Sequence, residues 1–191
     1  LADTFDELVS SDFSKYWGKE YLWTIPGTGG STGGGSEFPG VILENKGWGI
    51  YNGWGQIKPT YDIYAEMLKD GKENDRLKRS ILEYGQKFLF FGEEREFYSA
   101  SDIESGFQIN KYMEPFGYAN ATTEGYVNAN GDWPTARVNF PIIRFAEMML
   151  FRAEAYLMKN QPDKAWKDLN RIHVRACGLS LPSPATMEQL Y

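Results

Sequence analysis

The chain has 191 residues, of which 42% are hydrophobic and 24% charged, enough apolar side chain to bury a core of one ordinary domain. Its 20 basic and 26 acidic residues leave a net charge of −6, a surface that repels phosphate backbones and argues against nucleic-acid binding. The single cysteine, Cys177, leaves no intrachain disulfide and predicts no thiolate metal site.

Along the chain, Phe5, Leu8, Val9, Phe13 and Tyr16 have the spacing of one or two short helices broken at Ser10-Ser11. Glu20 to Ile25 reads as a strand that ends at Pro26, with Trp23 expected in the core before any ligand-facing role. Residues 27–40, rich in Gly, Ser and Thr, are expected to form a flexible loop. They lack both the register of a dinucleotide loop and the Lys-Ser/Thr of a phosphate loop. The segment Gly47-Trp48-Gly49-Ile50-Tyr51-Asn52-Gly53-Trp54-Gly55 is expected to be an ordered aromatic loop. Pro59-Thr60 then opens a helix to about Lys69, with Tyr61, Tyr64, Ala65 and Leu68 on one stripe, closed by Asp70-Gly71.

Within 76–116, Lys87 to Phe91 and Phe107 to Met113 look strand-like. Asn120 to Pro134 is a polar loop that holds Trp133. Asn128, Asn130 and Asp132 alternate like the start of a calcium loop, but the glycine is displaced and the twelfth position is Asn139 rather than Glu.

At the carboxyl end, Ala146, Met149, Leu150, Ala153 and Leu157 lie on one helical face over Phe145 to Met158. Lys159-Asn160-Gln161 forms a turn, and Pro162 starts a second helix whose Ala165, Leu169, Ile172 and Ala176 face the first. Gly178 stops it. Two helices joined so tightly must pack antiparallel, with the small Ala153 and Ala165 allowing close approach.

At this hairpin the sequence resembles the SusD/RagB family of nutrient-uptake lipoproteins. The resemblance rests on the run from Pro141 through Arg144-Phe145-Ala146-Glu147 to Ala153-Glu154-Ala155, and on Lys164 to Ala176 with Asn170, Arg171 and Arg175. Gly53-Trp54-Gly55-Gln56-Ile57-Lys58-Pro59-Thr60-Tyr61 and Asn74-Asp75-Arg76-Leu77 are similar in order and spacing. His173 stands where the family usually has Arg, and Cys177 intervenes before the glycine. The resemblance implies a mainly α, SusD-like fold: a TPR-like antiparallel helix hairpin over 141–178, packed with a loop-rich, minor-β insertion in a single region 1–191. The chain is expected to be a piece of a longer polypeptide, with any lipid anchor upstream.

The resemblance further implies an oligosaccharide-binding, non-catalytic protein on the extracellular face of a Bacteroidetes-type outer membrane, handing its ligand to a SusC-like TonB-dependent transporter. Sugars are gripped by flat rings against their C–H faces and by rim amides and hydroxyls. Trp48, Tyr51, Asn52 and Trp54 supply that mixture within seven residues, and Trp133 is a further candidate. For Trp54, plugging the core beneath the following helix is the competing role.

A glycoside hydrolase is the first alternative. Glu147 and Glu154 share a helix face, but seven residues at about 1.5 Å each put them roughly 10.5 Å apart along the axis, beyond the carboxylate spacings of glycosidases. Both are expected to be structural, and His173 to be a helix-end residue favoured by the dipole. A TPR-like protein-interaction module is the second alternative. No catalytic residue, metal or cofactor is expected.

Overall fold

The computed structural model describes residues 1–9, 13–26, 57–90, 93–97, 105–111 and 139–183. The chain opens with two 3-10 turns, Asp6–Val9 and Phe13–Lys15, and continues into strand β1, Tyr21–Ile25. Helices α1 (Tyr61–Leu68) and α2 (Asp75–Ser80) follow, then β2 (Ile81–Glu83), β3 (Lys87–Phe90), β4 (Glu93–Glu96) and β5 (Phe107–Ile109). Strand β6 (Phe140–Arg144) runs directly into α3 (Phe145–Met158), and α4 (Pro162–Cys177) completes the described elements.

The expected hairpin forms, but it occupies 145–177, because residues 140–144 are strand rather than helix. Glu147 starts α3 by reaching back with Oε2 to accept from the Arg144 backbone N–H at 2.9 Å, which satisfies one of the orphan donors of the first turn. Pro162 sits in the first turn of α4, and Gly178 caps it at φ 73°, a conformation that costs glycine no Cβ clash. Ala153 and Ala165 are fully buried between the helices with Leu157, and Tyr156 and Leu169 pack against them. Across this seam Arg152 Nε and Nη2 each donate at 2.7 Å to the Asp168 carboxylate, a fork that fixes the rotation of one helix against the other.

Thr60 caps α1, its hydroxyl accepting from the Ile63 N–H. The buried stripe is rotated from the one expected: Tyr64 and Met67 face inward, while Tyr61 is 69% exposed and Leu68 also lies outside. The reason is tertiary, since α1 packs on α2 and on Phe107, whose ring stacks on Tyr64 with centroids 4.5 Å apart. Asn74 joins α1 to α2. Its Oδ1 accepts from the Leu77 N–H at 2.8 Å as an N-cap, and its Nδ2 donates to the Met67 and Gly71 carbonyls.

The described strands pair antiparallel in two-stranded ribbons: β1 with β6, β2 with β5, β3 with β4. The β1–β6 ribbon carries register shifts between Tyr21 and Trp23 and between Trp23 and Thr24. Such bulges re-aim side chains. Tyr21 is buried, its ring tilted against that of Tyr16 with centroids 4.2 Å apart and its hydroxyl donating to the Leu8 carbonyl. Trp23, expected in the core, is instead 61% exposed.

The amino end is fastened by Glu20, which is fully buried. Its Oε2 accepts from the Ala2 N–H at 2.9 Å and pairs with Arg175 Nη1 at 3.5 Å, while its carbonyl accepts from the Phe145 N–H at 2.6 Å. Burial pushes the Arg175 guanidinium below its usual value; Glu20 opposes that shift and Arg144 adds to it. Around the pair lie Ala2, Phe5, Leu8, Tyr16, Tyr21, Ala176 and Cys177 as one apolar cluster.

Two stability outcomes follow from this packing. Ala165→Leu overfills the seam and lowers unfolding free energy by about 1–3 kcal/mol in urea titration, whereas Ala155→Leu on the exposed face of α3 stays within about 0.5 kcal/mol. Glu20→Ala leaves Arg175 buried without its carboxylate and costs about 3–5 kcal/mol, part of which returns when Arg175→Met is added.

Candidate functional site

Trp48, Tyr51, Asn52, Trp54 and Trp133 all lie outside the described residues, as do the glycine-rich segment 27–40 and the Asn128, Asn130 and Asp132 positions. The structure does describe the ground into which the aromatic segment leads. Ile57 to Thr60 form one wall of a cleft of about 400 Å³ at the start of α1, with Ile63 and Met67 from the helix; Ile81 and Ile109 from the β2–β5 ribbon form the other. Lys58 and Lys111 also line it.

This cleft is built by the way α1 begins. Pro59 is buried and presets the backbone before the Thr60 cap, so the chain from 57 lies against the ribbon before it turns into the helix. Lys58 Nζ donates to Gln108 Oε1 at 2.9 Å, and Gln108 is fully buried on β5. That bond ties the entry strand of α1 to the ribbon. Asn110 extends the ribbon past β5, its N–H donating to the Ser80 carbonyl and its Nδ2 to the Lys78 carbonyl.

Lys111 is the electrostatic outlier of the cleft. Burial pushes its ammonium down to about 8, and Arg144, Arg76 and Arg175 add repulsion. Its Nζ lies 5.6 Å from the centroid of the Phe5 ring, whose other cationic neighbour, the Arg175 guanidinium, lies at 5.9 Å. Both cations are within the range at which an aromatic face attracts positive charge. The described residues that line the cleft are aliphatic, hydroxyl or ammonium in character, with no carboxylate and no histidine. Such a lining can hold and orient a ligand.

Of the other sequence candidates, Glu147 is structural, as its bond to the Arg144 N–H shows, and Glu154 is exposed on α3. His173 does sit in the last turns of α4, yet its role is not limited to the dipole. Its Nδ1 lies 2.7 Å from the Leu179 carbonyl and its Nε2 3.0 Å from Asp70 Oδ1, while Cys177 Sγ donates to Asp70 Oδ2 at 3.3 Å. Counting cysteines overlooks this cluster, because a mixed set of donors needs no second thiol. The i, i+4 spacing of His173 and Cys177 on one helix was the available signal. Asp70, more than a hundred positions earlier, carried none.

The sequence profile of the SusD family matches residues 19–183. No curated protein matches the chain. Among solved structures, a SusD-like protein from Bacteroides fragilis superposes with a TM-score of 0.67 at 17% identity, over 99% of this chain and 42% of its own. Surface glycan-binding protein A from Bacteroides thetaiotaomicron, in complex with laminarihexaose, gives 0.64 at 16% identity, over 97% and 41%. A SusD-like carbohydrate binding protein from Bacteroides fragilis gives 0.60 at 21%, over 90% and 37%. The chain thus spans about two fifths of the length of these structures, and at these identities the likeness is one of fold, mainly helical and TPR-like.

The Lys111 environment has a measurable sign. A lysine whose ammonium is disfavoured in the folded state takes up its proton more readily when unfolded, so it lowers stability at neutral pH, and that deficit fades as pH rises from about 8 towards about 10.5. Lys111→Met is therefore more stable than the parent at pH 7, and the gap narrows by pH 10 in denaturant titrations at both values. A gap independent of pH would assign the difference to packing instead.

Proposed function

Since the chain belongs to the SusD family, we propose that it is a non-catalytic cell-surface binder of oligosaccharide nutrients. Its ligand is held by the aromatic segment carrying Trp48, Tyr51, Asn52 and Trp54, with Trp133 as a further contact. The observation that carries the proposal is the family match over residues 19–183, which spans that segment. The aliphatic cleft at the start of α1, whose described lining begins at Ile57, two positions after Gly55 in the sequence, supports it. Indole and phenol rings can cover the C–H faces of pyranoses while an amide such as that of Asn52 bonds to hydroxyls at the rim. The described cleft residues carry no carboxylate or histidine. The laminarihexaose held by one of the structural relatives makes a glucan oligosaccharide the first ligand to try.

In the same proposal, the whole protein sits on the extracellular face of the outer membrane through a lipid anchor and passes its ligand to a SusC-like TonB-dependent transporter. No helix among the described residues is long and apolar enough to cross a membrane.

Calorimetry of the full-length protein against a panel of oligosaccharides, starting with laminarihexaose, tests the ligand class. Trp48→Ala and Tyr51→Ala each weaken binding by about 1–3 kcal/mol, the scale of losing one aromatic contact surface, with unfolding midpoints unchanged. Full affinity in both variants, or binding of peptides but no sugar, overturns the site or the ligand class respectively.

A further inference from the structure

The carboxyl end of α4 and the turn after α1 bring three different metal-binding side chains to one point. His173 and Cys177 lie one turn apart on the same face of α4, and Asp70 follows α1 just before Gly71, whose φ of 91° turns the chain away. The three donor atoms lie within 4.8 Å of one another.

The hydrogen bonds orient the imidazole. The Leu179 carbonyl can only accept, so the 2.7 Å contact places a proton on His173 Nδ1. Nε2 faces Asp70 Oδ1 at 3.0 Å: a second ring proton fills that contact in the imidazolium, and a metal ion can take that proton's place in the neutral ring. A backbone carbonyl holding one imidazole nitrogen while the other points at a carboxylate is the arrangement that presents histidine to a metal. Cys177 adds a soft donor on the second oxygen of the same carboxylate.

We propose that Asp70, His173 and Cys177 bind a single divalent transition metal of zinc's class, with solvent completing the coordination. Tetrahedral zinc with one carboxylate oxygen, one imidazole and one thiolate separates its donors by roughly 3.3–3.6 Å. The 3.0 and 3.3 Å contacts fall on different oxygens of Asp70, and with the three donor atoms within 4.8 Å of one another, closing on an ion takes shifts on the order of an ångström. Asp70 and His173 keep about a quarter and a sixth of their side-chain surface in solvent, 26% and 17%, which gives the ion an entry path. Cys177 is buried, and burial together with the Asp70 carboxylate pushes its thiol up to about 11. A metal ion bound there would displace that proton. Burial raises the Asp70 carboxyl, but the bonds from His173 and Cys177 and the charges of His173 and Arg76 outweigh it and lower it. Arg76, whose charge acts on both Asp70 and Cys177, is the cation with which the ion competes. Bound there, the metal pins the end of α1 to the end of the hairpin.

The test uses chelator-stripped full-length protein and Co²⁺ as the spectroscopic probe. The expected result is a 1:1 complex with visible d–d bands of tetrahedral intensity and a near-ultraviolet thiolate-to-cobalt band, both bleached by excess Zn²⁺. Cys177→Ser loses the near-ultraviolet band, His173→Gln, whose amide can still donate to Asp70, binds more than about tenfold more weakly, and Arg76→Gln binds more tightly. Zn²⁺ raises the melting temperature of the parent and not of His173→Gln. Absence of cobalt bands in the folded parent overturns the proposal, as does a thiolate band that survives in Cys177→Ser. Folding of each variant is checked by circular dichroism, so a lost band in a folded variant counts for the site.

Discussion

The buried pair of Glu20 and Arg175 is the constraint on which the described structure turns. One carboxylate receives the amide of Ala2 and the guanidinium of the last turn of α4, and the carbonyl of the same residue receives the amide that begins α3. Three regions distant in sequence therefore meet at a single residue. Taking both charges out of water is expensive, and their attraction in the interior repays it only when geometry and neighbouring bonds are good. What the pair adds beyond energy is definition: an apolar side chain at 20 could fill the space and keep the backbone bond to Phe145, but it would lose the carboxylate that joins the amino terminus to the hairpin exit.

Positive charge gathers around this node. Arg144, Arg175, Arg76 and Lys111 act on one another electrostatically, and two of them lie 5.6 and 5.9 Å from the centroid of the Phe5 ring. An aromatic face attracts such cations. The arrangement links the cleft to the hairpin, because Lys111 belongs to the first and Arg175 to the second. Scaffold and cleft are thus electrostatically coupled even though their apolar clusters are separate.

What the sequence revealed depended on the range of the forces involved. The hairpin was legible almost to the residue because apolar periodicity, Pro162 and Gly178 are local signals for a local structure. Helix α1 was legible in extent but not in rotation, since the burial of Tyr64 rather than Tyr61 is decided by Phe107, more than forty residues away. Helix α2 is six residues long, too short for periodicity, and is announced only by the cap at Asn74. Strand β6 was missed because it is specified by pairing with β1 across more than a hundred residues, and because Pro141 reads locally as a helix lead-in. Trp23 was placed inward on residue type, and a bulge that no pattern foretells turned it out. The Asp70 contact with His173 bridges 103 positions and lies beyond any local reading. The aromatic segment is legible only as composition: rings among glycines identify a candidate platform without fixing where each ring points.

The β1–β6 ribbon joins residues 21–25 to 140–144, with the Thr24 hydroxyl donating to the Phe140 carbonyl at 2.8 Å. Residues 26 and 139 are thereby held at one doorway, although α1 and α2 in the chain between them reach back to α4 and the first turn. The entropy of closing so long a path grows only logarithmically, by about 0.6 kcal/mol for each doubling. Added or lost residues between those anchored helices would therefore disturb the ribbon's closure little, so long as the anchors themselves are kept.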